Sequence, residues 1–135
     1  MAEALFRHLT EKRVGEFAVM SAGISAADGF AATPDTVRVL EDEGIDATGH
    51  QSQRLRPEMV NGADKIYVME KLHKDWIVRV LPEAESKVHL LSEFAQNDEY
   101  GSPEDIPDPI RMSPSFYKNV LGVIRRCVEK LVKTL

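Results

Sequence analysis

An ionised thiol is the strongest nucleophile that a side chain offers near neutral pH, and this chain of 135 residues has one cysteine, Cys127. It falls between Ile124 and Val128 on an apolar seam, where a neutral buried thiol is the stable state, and no glycine-containing, donor-rich loop surrounds it. Its reading is structural. A single cysteine also rules out an intrachain disulfide and any relay of thiols within these residues. Among the carboxylates, Asp108 is singled out by Ile106-Pro107-Asp108-Pro109 ahead of the last helical pattern. By residue type alone an aspartate before proline is a turn former, although a carboxyl on a loop can also donate and accept protons. Asp105, three residues earlier, reads as solvated. Ser21 closes an apolar run and His50 lies in a polar stretch, so by themselves they are a strand end and a loop histidine. His8, His73 and His89 fall in helix or strand patterns and receive no role. No metal-ligand spacing occurs, and no metal or other cofactor is expected.

Periodicity predicts the elements that carry these residues. Ala4, Leu5, His8 and Leu9 recur at three- and four-residue spacing, the mark of an amphipathic helix, yet no capping residue precedes it. This helix is expected to continue from something upstream, as if the chain were cut internally. Residues 17–20 predict a strand covered on both faces, 64–69 a second and 88–91 a third. Thr33-Pro34 caps a helix of about ten residues that Gly44 stops, a short helical turn follows Pro57, and residues 70–81 form a helix stopped by Pro82. Residues 96–109 read as a loop, and Ser113-Pro114 opens a last helix with a seam through Tyr117, Val120, Leu121, Ile124, Cys127, Val128, Leu131 and Leu135. Alternating strands and helices imply one α/β domain over residues 1–135, with a parallel sheet flanked by helices. A net charge of −5 argues against nucleic acid or an anionic membrane as partner. With no membrane-length apolar run and no signal-peptide pattern, the expected location is cytoplasmic.

Taken in order, Met1-Ala2-Glu3-Ala4-Leu5-Phe6-Arg7, Ser21-Ala22-Gly23, Gly44-Ile45-Asp46 with Gly49-His50, Ala63-Asp64-Lys65-Ile66-Tyr67-Val68-Met69 and Ile106-Pro107-Asp108-Pro109 resemble the low-molecular-weight protein tyrosine phosphatases along the whole chain. The resemblance implies a three-layer α/β sandwich and phosphoric monoester hydrolysis through a phosphocysteine intermediate. It makes Asp108 the general acid and base, and it places Ser21 and His50 in a hydrogen-bond network behind the phosphate-binding loop. In the family that loop, Cys-five residues-Arg-Ser-Pro, and the central strand before it lead directly into the Met-Ala-Glu-Ala helix. This chain departs from the pattern in having neither, nor the nucleophile and phosphate-binding arginine they carry. The 135 residues alone are therefore expected to be inactive.

The family strand order, 2-1-3-4, predicts a gap of roughly 9–10 Å between residues 17–20 and 66–69, two strand spacings wide. A weakly folded chain that self-associates through that gap is the expected consequence. Implied substrates are a phosphorylated protein or a small phosphomonoester. Phosphotyrosine is the first reading and phosphoarginine the alternative, since Ile110-Arg111-Met112 follows Asp-Pro where an aromatic clamp would be expected. A non-catalytic pseudophosphatase that binds or regulates a partner is the reading from a different class.

Overall fold

A computed structural model describes residues 1–95 and 104–135. In chain order these form α1 (Ala2–Leu9), α2 (Pro34–Glu41), α3 (Pro57–Gly62), β1 (Ile66–Val68), α4 (Lys71–Val80), a 3-10 turn (Pro82–Lys87), β2 (Val88–Leu90), a second 3-10 turn (Leu91–Ala95) and α5 (Pro114–Thr134). The helix signals hold where the caps predict them. Thr33 Oγ1 accepts the Thr36 N–H at 3.3 Å, Ser113 Oγ accepts that of Phe116 at 3.3 Å, and Gly44 takes a φ of +77° just past α2. His73, given no role above, has a structural one: its Nδ1 accepts the Glu70 N–H at 3.2 Å in a reciprocal cap of α4.

β1 and β2 pair in parallel, with Tyr67 opposite His89 and Val68 opposite Leu90. Side chains alternate across a strand, so the two faces feed two different cores. Ile66, Val68, Val88 and Leu90 pack with Val60 of α3 and Ile77 of α4 on one side. On the other, Tyr67 meets a larger cluster built from Leu5 of α1, Leu40 of α2, Leu91 and the seam of α5. The Tyr67 ring stands edge-on to Phe94 at 5.6 Å, and its buried hydroxyl has no hydrogen-bond partner among the described residues. The result is the expected α/β sandwich with a short parallel sheet between helical layers. Among the described residues no helix is long and apolar enough to cross a membrane.

One strand expectation fails. Residues 17–20 form no strand, and Met20 is 61% exposed, so the run is not covered on both faces. A strand persists through its ladder, and among the described residues none pairs with this segment. Side chains hold it instead: the Arg7 guanidinium donates to the Val19 carbonyl at 2.5 Å and Gln53 Nε2 to that of Ser21 at 2.9 Å. Backbone pairing begins only at Gly23, which bonds Gln53 O at 3.0 Å and the Leu55 N–H at 2.9 Å. The segment and β1 are not paired with each other. The loop expected at 96–109 lies in part, at 96–103, outside the described residues; residues 104–109 have no regular structure.

Candidate active site

The segment that carries Asp108 is stitched to the carboxyl end of β1. The Ile106 N–H bonds Met69 O at 2.8 Å, and the Ile106 side chain is buried in the larger core. Asp105, expected to be merely solvated, accepts the Lys71 N–H at 2.8 Å and so occupies one of the free donors at the start of α4. These two bonds fix the direction of the next residues. Asp108 is exposed and lines a cavity of about 280 Å³ shared with Met1 and Ala2 at the start of α1, Thr33 before α2 and Glu70 before α4. Asp108 Oδ1 accepts the Ile110 N–H at 3.0 Å.

A cavity outside the carboxyl end of a parallel strand is where α/β folds place ligands. Three helices begin at its wall, and the partial positive charge of helix starts favours an anion there. The Asp108 carboxyl lines the same cavity. Among the described residues no group of three or more His, Cys, Asp or Glu could hold a metal ion.

Ser21 and His50 come together on a residue that the sequence reading did not weigh, Glu3. The Ser21 hydroxyl donates to Glu3 Oε2, Arg7 Nε donates to Oε1 at 3.1 Å, and His50 Nδ1 stands 4.0 Å from Oε2. Burial pushes the Glu3 carboxyl upward, but the Ser21 hydroxyl, the Arg7 guanidinium and the field of His50 outweigh it and hold it below its ordinary value. The hydrogen bonds of this cluster run to the first turn of α1 rather than to Asp108. Glu3 and Arg7, four apart on α1, were the available signal; their link to residues 21 and 50 required the fold.

A carboxyl whose folded pKa is depressed contributes stability that is present above its unfolded pKa and lost as pH falls through the lower folded value. Stability is therefore expected to fall as pH drops below the ordinary 4.5 of Glu3. Glu3→Gln should cost about 1–2 kcal/mol at pH 7 and flatten that acid limb, which urea melts at pH 7 and pH 3 will measure.

Cys127 is 0% exposed in α5. Burial pushes its thiol up, against the smaller opposing fields of Arg126 and Lys130, so it stays protonated near neutral pH. It lies on the apolar seam, as the sequence indicated.

The family model for low molecular weight phosphotyrosine protein phosphatase matches residues 1–135. A protein-arginine-phosphatase of Geobacillus stearothermophilus is 33% identical over 135 residues, covering 100% of this chain and 86% of that protein. The probable low molecular weight protein-tyrosine-phosphatase EpsP of Ralstonia solanacearum is 35% identical over 132 residues, covering 98% and 83%. Among solved structures, the low molecular weight protein tyrosine phosphatase from T. tengcongensis superposes with a TM-score of 0.88 at 32% identity, covering 99% of this chain and 88% of that one. The YwlE arginine phosphatase from Geobacillus stearothermophilus superposes at 0.86 and 30% identity, covering 98% and 81%.

Proposed function

The chain belongs to the low-molecular-weight phosphotyrosine protein phosphatase family, and from that premise we propose that these residues form the proton-transfer side of a phosphoric monoester hydrolase acting on protein phosphotyrosine. Asp108 is the general acid. Its carboxyl protonates the departing phenolic oxygen as a thiolate takes the phosphoryl group, and the resulting carboxylate then accepts a proton from the water that releases phosphate from sulfur. Ser21 and His50, tied to Glu3, brace the phosphate loop that adjoins α1 in the family.

The observation that carries this reading is the shared cavity: Asp108 faces the space into which α1 begins. The thiolate itself has no candidate among the 135 residues, because Cys127 is buried and protonated. On this reading the 135 residues alone are expected to be inactive, and a non-catalytic module that binds or regulates a partner is the alternative from a different class.

A second substrate reading, phosphoarginine, is favoured by one feature. Ile110, not an aromatic residue, lines the cavity after Asp108-Pro109, so a phenol ring has no stacking partner at that position. Two curated relatives, each 33% identical, are protein-arginine-phosphatases. The test is a longer polypeptide in which a strand and a Cys-five residues-Arg-Ser-Pro loop precede Met1, assayed on one peptide carrying phosphotyrosine or phosphoarginine. A higher kcat/KM on phosphotyrosine is expected; preference for phosphoarginine would install the second reading, and inactivity on both would leave the pseudophosphatase.

A further inference from the structure

Among the described residues Arg111 is the one non-glycine residue with positive φ, at 64°. An L side chain in this region is strained, and such outliers persist only where the surrounding structure demands them. The demand here is a turn. The Met112 N–H bonds Pro109 O at 2.9 Å, which puts Arg111 at the third position of residues 109–112, where a type II turn requires positive φ. Both flanks are fixed, by the Ile106 bond to Met69 O on one side and by the Ser113 cap of α5 on the other. Arg111 is exposed and makes no hydrogen bond or ion pair among the described residues, so its backbone and not its guanidinium secures the turn. With the turn closed, the Ile110 N–H meets Asp108 Oδ1 at 3.0 Å.

We propose that Arg111 is a positioning residue for the general acid: its left-handed backbone closes the turn that engages Oδ1 of Asp108 and leaves Oδ2 to carry the proton. An oxygen that accepts an N–H is the less basic of the two, so the acid form holds its hydrogen on Oδ2 and passes it to the leaving oxygen, while Oδ1 stays anchored. A freely rotating carboxyl would present either oxygen. The inference rests on the reading of Asp108 as the general acid, but its test needs no turnover and so stands or falls separately from phosphatase activity.

The test is amide hydrogen exchange on the 135-residue polypeptide, read at Ile110 and Met112 beside the thermal midpoint. Arg111→Gly, which suits the turn, should keep both amides protected. Arg111→Val, β-branched and strained at this φ, should speed both about tenfold and lower the midpoint by no more than about 5 °C, with the core amides that exchange by local opening unchanged. Asp108→Ala should speed Ile110 and spare Met112, whereas Asp108→Asn, which retains an acceptor oxygen, should keep Ile110 protected. The proposal is overturned if Arg111→Val leaves Ile110 unchanged, if it speeds locally exchanging core amides as much as Ile110, or if Ile110 stays protected in Asp108→Ala.

Discussion

Incubated with para-nitrophenyl phosphate, the 135-residue polypeptide is expected to release nitrophenolate no faster than buffer does. An activated nucleophile accounts for roughly six orders of magnitude in enzymes whose catalytic residues act as a unit, and among the described residues no side chain is placed to substitute for one. Cys127 is the only thiol, it is buried against the core of α5, and burial keeps it protonated. Cys127→Ser should therefore leave the null rate unchanged. A rate well above buffer that Cys127→Ser abolished would overturn the structural reading of that residue and the account of the site with it.

The second large effect concerns Asp108. In the longer polypeptide with a strand and Cys-containing loop before Met1, Asp108→Ala is expected to lower kcat by about 10²–10⁴, the usual contribution of a positioned general acid. The leaving group makes the assignment specific. Phenyl phosphate expels a basic phenolate that needs the proton, whereas para-nitrophenolate departs readily without it, so the loss should be larger on phenyl phosphate. Asp108→Asn keeps an oxygen for the Ile110 N–H yet cannot transfer a proton, and should show the same loss. Equal losses on both esters would mean that Asp108 orients substrate or loop and does not move a proton.

Much of this architecture was legible because its signals are local. Thr33-Pro34 and Ser113-Pro114 announce helix starts whose caps form within three residues, and the apolar runs at 66–68 and 88–90 pair with each other across a single crossover. The run at 17–20 carried the same apolar signal and yet is no strand, because strand identity belongs to a pair and none of the described residues supplies its partner. The site divides the same way. Asp108 could be named from the Asp-Pro pattern and its family likeness, but Glu3 could not be recognised as the meeting point of Ser21 and His50, which lie 18 and 47 positions away. Asp105 is exposed, as expected, but its bond to α4 was not legible for a similar reason: its partner, the Lys71 N–H, is 34 residues distant.

The manner in which residues 17–21 are held separates their order from that of the sheet. The Arg7 guanidinium, 59% exposed, spans Glu3 and the Val19 carbonyl, and Glu3 in turn receives Ser21. Dissolved ions screen such exposed attractions over about 8–10 Å at moderate ionic strength, but they barely touch amide ladders such as the one joining β1 to β2. Rising salt should thus loosen this strip while the sheet beside it stays intact, making the ionic medium a selective solvent for one flank of the fold.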